Sequence, residues 1–433
     1  MQLIIHRGTQ EIGGSCVELI AKNSRILVDF GLPLVSAQKD QPFDSKTLER
    51  KSVKELKEMG ILPNIQGLYR NENKEIDAIF ISHSHMDHYG LLRYVNPEIP
   101  IYMSEGAKEL VEISNMFTPN KTGPLNIKTF SGVGKIRIGD FEVAARLVDH
   151  SAFDARAFLI EAEGKRIFYS GDFRGHGRKR LLFERIISNP PGEIDVLLME
   201  GSMLGRGRQT YADEEAVQKG MEETLRDKSN IAFLFASSQN IDRIVSAYKA
   251  CRRTGLILVI DIYTAYILHR LSKITKHLPQ FDWQNIRVKF FKYHADKLAE
   301  AGDKKLLYIF NKRKIELPEI DSKKKDILML LRDNSLFPVV VNHIHDIQGA
   351  SIIYSMWEGY LTAKFKDYCK KSVIKIKQIH TSGHATVEDL QAFAGALKPK
   401  KLIPIHTFET KEYPKLFKNV IILHDSEVLD LAG

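Results

Sequence analysis

Apolar residues alternate with polar ones, or run together over a few positions, at residues 3–5, 16–20 and 25–30. A polar, glycine-containing stretch separates the first two, and runs of this kind predict short strands. Residues 44–59 and 106–116 instead carry apolar positions at helical spacing among charges. The apolar run 78–81 stops abruptly at Ser82, where a group of histidines begins. It reads as a buried strand that delivers polar side chains at its end. Further strands are expected at 141–148, 157–161, 166–170 and 195–199.

From about Thr210 the pattern changes. Asp213 is placed to cap a helix running to about Arg226, followed by a strand at 231–235 and a helix at 241–252. A strand at 256–260 and a helix at 265–275 continue the alternation, which indicates a parallel α/β unit. Residues 311–326 are rich in lysine and read either as a solvated surface or as a contact for phosphates, the solvated face being the commoner case. The last sixty residues return to the first pattern, with strands at 374–379, 401–405 and 420–423 and a helix at 387–397. The expectation is an α/β chain in which a first unit, 1–204 and 373–433, is interrupted by a second, 205–372.

Composition adjusts this picture modestly. A length of 433 residues favours more than one globular unit. The net charge of +9 favours an acidic partner such as nucleic acid, but many basic proteins bind none. Cys16, Cys251 and Cys369 are scattered and odd in number, so neither a disulfide framework nor a cysteine zinc knuckle is expected, in keeping with a reducing cytoplasm. No apolar run approaches the ~18 residues of a membrane span, and the opening MQLIIHRGTQ lacks the stretch of a signal peptide. A soluble, cytoplasmic protein is expected.

The chemistry concentrates at His83, His85, Asp87 and His88. Imidazole and carboxylate suit a borderline metal such as zinc. In a tight loop His83 and His85 can face one metal while Asp87 and His88 reach a second, and two metals together activate a shared water and clamp a displacement. The bland alternative is a polar surface loop, which four ligand-type residues within six positions at a strand end disfavour. Asp29, His150, Asp172 and His406 each follow a separate short apolar run. Singly, each would more often be a turn or capping residue; together they complete a dinuclear shell.

In that order, these residues resemble the motifs of the metallo-β-lactamase fold. The resemblance implies that His83, His85 and His150 bind one metal, Asp87, His88 and His406 the other, and that Asp172 bridges them. Asp29 is then expected to orient the cluster by hydrogen bonds. The stretch DVLLMEGSMLG with Glu200, HTSGHAT with His384 and LIPIHT with His406 are similar to three motifs of the β-CASP nucleases. Histidine at the third of these marks the RNA-processing members, whereas the DNA-processing branch carries valine. RGTQEIGGSC also resembles the first strand-turn of ribonuclease J and of the pre-mRNA 3′-end nuclease. The implied architecture is a four-layer αββα metallo-β-lactamase domain with an inserted parallel α/β β-CASP domain.

The implied function is hydrolysis of RNA phosphodiester bonds, endo- or exonucleolytic, by hydroxide held between two zinc ions, with manganese the alternative metal. Single-stranded RNA is the expected partner. His384 is the expected proton donor to the leaving oxygen, oriented by Glu200, and Asp87 completes the catalytic set. Arg174, His176, Arg178 and Lys179, in a glycine-spaced loop, and Ser237 and Ser238 before a helix, are weaker candidates for phosphate contacts. His343, His345 and Asp346 are read as lining a substrate channel or satisfying local backbone. Trp357 and Tyr360 are capable of stacking bases, though core packing is the commoner fate. The chain departs from ribonuclease J at residues 342–349, which replace a Ser- and Gly-rich turn that holds a 5′-monophosphate. It also ends soon after His406, so the extra C-terminal domain of that family is not expected, and a homodimer is left open.

Three other readings share the metal ligands. A thioester or lactone hydrolase explains the cluster but not Glu200, His384 or the inserted unit. A nucleic-acid-binding subunit of a processing complex would be expected to have lost ligands. An iron-based redox protein of this fold commonly carries glutamate where this chain has His85.

Overall fold

The computed structural model describes residues 1–35, 42–119, 121–130, 132, 134–207 and 209–431. Within them the chain forms two compact units, one of residues 1–175, 179–206 and 383–433, the other of 176–178 and 207–382.

The first unit is built on two sheets. One has seven strands in the order Val428–Asp430, Gln2–Arg7, Cys16–Ile20, Arg25–Val28, Ala78–Phe80, Ile101–Ser104, Ile127–Phe130. The other has six, Lys401–Ile405, Val196–Glu200, Lys165–Tyr169, Arg156–Ala162, Phe141–Leu147 and Lys135–Ile138. Strand alternation sorts the apolar residues between layers. Ile26 and Val28 join Val196 and Leu198 in a core between the sheets. Leu27 packs outward against Leu56, Tyr89 and Val111 of one helical layer, and Leu197 and Met199 against Phe183, Leu390 and Phe393 of the other. This is the αββα arrangement expected. The helix Glu105–Phe117 starts where the Ser104 hydroxyl accepts the Ala107 N–H and buries Ala107, Leu110, Val111 and Ser114 at helical spacing.

The second unit holds a seven-stranded sheet in the order Lys314–Ile315, Ile286–Lys289, Ile257–Asp261, Ile327–Leu331, Ala232–Phe235, Ser351–Tyr354, Lys375–Gln378. Its pairings are parallel, as the strand–helix alternation predicts. Asp213 caps Glu214–Arg226 by accepting the Ala216 N–H. The lysine-rich stretch is a solvated face in which Lys314 and Lys289 both pair with Glu316.

Several local expectations change. The helical pattern of 44–59 is two short helices, Thr47–Arg50 and Val53–Glu58, because a Ser52/Glu55 capping box restarts the second. Residues 420–423 make a single bridge, Leu402 to Val420, rather than a strand, and the last strand is Val428–Asp430. Lys375–Gln378 pairs with Ser351–Tyr354, and the chain rejoins the first unit at Gly383, ten residues beyond the expected position. Among the described residues no helix is long and apolar enough to cross a membrane.

Candidate metal centre

Ala78–Phe80 ends inside its sheet, and the chain then turns through His83 into the one-turn helix Met86–Tyr89, with His85 at its N-cap. This loop is clamped by backbone. Phe30 N–H donates to His88 O at 2.8 Å, Leu32 N–H to Met86 O at 2.9 Å and Ser15 N–H to Asp87 O at 3.2 Å. Gly31 makes the approach feasible, because a Cβ there would sit 1.6 Å from the Asp87 carbonyl oxygen.

Asp29 follows Arg25–Val28 with φ of 59°, a left-handed conformation that aspartate tolerates better than most residues. Its buried carboxylate accepts Ser82 N–H (2.7 Å) on one oxygen, and Ser82 Oγ (2.8 Å), His88 Nδ1 (2.7 Å) and Tyr169 Oη (2.6 Å) on the other. The His88 proton is thereby fixed on Nδ1, and Nε2 faces the centre. Equivalent outer partners are Ser82 Oγ, 3.0 Å from His83 Nδ1, and the Gly383 carbonyl, 2.6 Å from His150 Nδ1. His406, also left-handed at φ of 53°, donates its N–H to Gly8 O, and its Nδ1 lies 3.2 Å from Gly13 N and 3.1 Å from Ser15 Oγ.

The inner atoms converge on Asp172. Its Oδ2 lies 3.2 Å from His88 Nε2, 3.5 Å from His406 Nε2, 3.7 Å from His83 Nε2 and 4.0 Å from His150 Nε2. Three overlapping groups of donors emerge among the described residues: His83, His85 and His150; Asp87, His88, Asp172 and His406; and His150, Asp172 and His384, which joins the first two. His85 Nδ1 is 3.2 Å from His150 Nε2, and Asp87 Oδ2 is 3.6 Å from His406 Nε2.

These donors fit metal ions. His83 Nε2, His88 Nε2, His406 Nε2 and both Asp172 carboxylate oxygens are buried and make no hydrogen bond. Five such atoms facing one another would be costly to bury unless a cation satisfied them. Burial, aided by neighbouring imidazoles, holds His83 and His150 well below the usual histidine range, and burial holds His85 at about 4 and lowers His406. Neutral imidazoles are the form that binds metal. His88 is the exception: burial opposes its charge, yet Asp172, Asp29 and Asp87 outweigh it and hold the pKa well above the usual value.

Glu200, the last residue of Val196–Glu200, is fully buried and gathers a cradle of donors. It accepts the N–H groups of Ser202 (3.0 Å), Phe173 (3.3 Å) and Ala385 (3.3 Å), and lies 3.3 Å from His384 Nδ1. His384 Nδ1 is also 3.7 Å from Asp172 Oδ2. Burial works against a charge on His384, but the Glu200 and Asp172 carboxylates push it up to about 8.

The weaker candidates fare differently. Arg174 is fully buried, its Nε 3.3 Å from Asp149 Oδ1 and its N–H donating to Asp149 O, so the expected phosphate contact is corrected to a structural ion pair. Arg178, in the second unit, donates to Asp242 O, Ser246 Oγ and Gln218 Oε1 and ties two helices together. His176 Nε2 lies 3.2 Å from Ser382 O. Ser237 Oγ accepts Gln239 N–H, and buried Ser238 accepts the Thr264 hydroxyl, both beyond the carboxyl end of Ala232–Phe235. His345 is 90% exposed and held by Asp321 at 2.5 Å. It precedes Ser351–Tyr354 and therefore lies at the amino end of the parallel strands, opposite Ser237 and Ser238. Sequence reasoning missed Ser82, Tyr169, Ser15 and Gly13; only the adjacency of Ser82 to the cluster, and of Tyr169 to Asp172, hinted at them.

Comparison with known proteins agrees with this geometry. Residues 62–226 match a beta-lactamase superfamily domain, residues 11–102 the metallo-beta-lactamase superfamily, and residues 372–412 a Zn-dependent metallo-hydrolase RNA specificity domain. The fold is the metallo-β-lactamase fold. Among proteins of that fold it resembles the β-CASP nucleases of the ribonuclease J type. An RNase J-like protein of Methanocaldococcus jannaschii is 23% identical over 66% of this chain and 63% of its own length. Ribonuclease J of Mycoplasma genitalium is 22% identical over 80% of this chain and 60% of its own, so the chain spans under two thirds of both relatives. Ribonuclease J of Pyrococcus abyssi is 22% identical over 98% and 96%. A crystal structure of an Enterococcus faecalis protein of unknown function shares the fold at a TM-score of 0.77, 20% identity and 99% coverage of both chains.

Proposed function

We propose that this protein is a metal-dependent ribonuclease whose centre holds two zinc or manganese ions, with His83, His85 and His150 around one, Asp87, His88 and His406 around the other, and Asp172 shared. The carrying observation is the convergence of five buried, unbonded donor atoms around Asp172, with the Glu200–His384 pair at its edge. Bound there, the metals supply Lewis acidity that activates water and neutralises charge on the scissile phosphate.

The chain's own residues do the rest. Asp29 and Ser82 fix the His88 and His83 tautomers so that Nε2 faces inward. Glu200 receives His384 Nδ1, which leaves Nε2 as the nitrogen that hands a proton to the departing 3′-oxygen. A pKa raised to about 8 keeps that proton in place at neutral pH. The matched RNA specificity domain over 372–412 includes both His384 and His406, which supports RNA as substrate. The second unit, taken as the β-CASP domain of residues 205–372, and a cytoplasmic location belong to the same proposal.

Incubation of metal-loaded protein with 5′-phosphorylated, 5′-hydroxyl and circular RNA tests it. Cleavage abolished in Asp87→Ala and slowed ~10²- to 10⁴-fold in His384→Ala is the expected result. Turnover of a thioester or lactone with no RNA cleaved would overturn it.

A further inference from the structure

Two aromatic residues in the second unit stand on the surface: Trp357 is 48% and Tyr360 62% exposed. Core packing, the commoner fate, is therefore not theirs. Both follow the strand Ser351–Tyr354, in a short turn that includes the helical residues Glu358–Tyr360. Their positions are built. The two rings meet at 90° with centroids 5.2 Å apart. The six-membered ring of the indole lies directly on Gly359, where a Cβ would come within 2.3 Å of it. Any residue but glycine at 359 would lift the indole off the backbone, so the turn holds the ring as a shelf.

The neighbouring surface is basic. Between Trp357 and Gln378 the chain carries six lysines, all exposed, against two acidic residues, Glu358 and Asp367. Lys364 and Lys366 stand on the helix Ala363–Lys371, Lys366 lying 3.4 Å from Glu358. The edge strand Lys375–Gln378 runs alongside, its Gln378 side chain donating to Met356 O beside Trp357. Exposed aromatic faces flanked by cations suit a flexible polyanion that presents flat apolar rings. Duplex nucleic acid hides its bases, and an acidic peptide offers no rings at regular spacing.

We propose that Trp357 and Tyr360 form a base-stacking platform for single-stranded RNA, with Lys366 beside it and the exposed lysines of this stretch supplying a basic surround for its phosphates. The proposal rests on the ribonuclease reading and assigns it a binding subsite within the second unit.

The test measures binding of fluorescein-labelled (A)12 RNA to chelated protein by anisotropy. Trp357→Ala is expected to weaken binding about 5- to 150-fold, the range for loss of one base–aromatic stack, and Trp357→Phe to retain most of it. (A)12 should also quench tryptophan emission in wild type and not in Trp357→Phe, which keeps only Trp283. This readout needs no disruptive variant. Unaltered (A)12 affinity in Trp357→Ala, with wild type still binding and cleaving RNA, overturns the platform and leaves the ribonuclease reading standing. A dimer that Trp357→Ala converts to monomer with unchanged RNA affinity makes this face a self-association surface and overturns the platform as well. A wild type that neither binds nor cleaves RNA removes both.

Discussion

Replacing Asp29 by Asn tests how far the metal donors depend on a residue that does not face the metals. Asparagine keeps the shape and accepts the left-handed φ of 59°, so backbone strain is not introduced. The damage is confined to hydrogen bonds. With its oxygen placed toward Ser82 Oγ, His88 Nδ1 and Tyr169 Oη, the amide retains three of four donors and sets its NH2 against the Ser82 N–H. One buried donor pair is left unsatisfied, costing about 1–3 kcal/mol of stability. The neutral amide also polarises His88 less than a carboxylate does, and losing such an outer partner typically costs about 10- to 100-fold in metal affinity, or about 1.4–2.7 kcal/mol. The two effects separate by assay. Thermal unfolding of the chelated protein reads the first, and competition with a chromophoric zinc chelator reads the second. Zinc affinity within twofold of wild type would refute the role of Asp29 as the orienting carboxylate.

Further outcomes follow from the same geometry. Gly31→Ala forces a Cβ to within 1.6 Å of Asp87 O, so the loop 86–88 must move, and metal content by mass spectrometry should fall well below that of wild type; full loading would contradict the clamp. Because carboxylates keep a proton on His88 in the metal-free protein, loading at pH 7 should release about one proton from it, read by calorimetry in buffers of different ionisation enthalpy. No buffer dependence would argue against it. In Glu200→Gln the largest charge favouring protonated His384 is gone, so its pKa falls from about 8 and the basic limb of the kcat profile should move to lower pH. An unmoved limb would exclude His384 as the proton donor that Glu200 supports.

Legibility in the sequence followed the length scale of the physics. The His83–His88 cluster was readable because ligand-type side chains crowd six positions at the end of an apolar run, and the dispersed residues Asp29, His150, Asp172 and His406 because each follows a strand. Glu200 and His384 were not readable this way. They stand 184 residues apart and took meaning from motif resemblance alone. Tyr169 pairs with Asp29 across 140 residues, and nothing local marks a tyrosine as a tautomer-fixing donor. Arg174 misled for the opposite reason: an arginine in a glycine-spaced loop reads as surface, whereas packing buries it against Asp149. Strands of two to four residues, such as Lys314–Ile315 and Val428–Asp430, are too short for alternation to declare them, and sheet pairing supplies what periodicity lacks. The second unit's Trp357 was read toward the core because aromatics usually go there, and the turn over Gly359 reverses that.

The most direct measurement of the central claim is a metal titration read by RNA cleavage. Protein stripped by chelation receives zinc or manganese in steps, and the initial rate on a labelled single-stranded RNA is recorded at each step alongside bound metal. The two donor sets, with Asp172 proposed to serve both, predict two ions bound per chain, with activity completed by the second equivalent. Saturation of activity at one equivalent, or cleavage undiminished by chelation, would contradict the account.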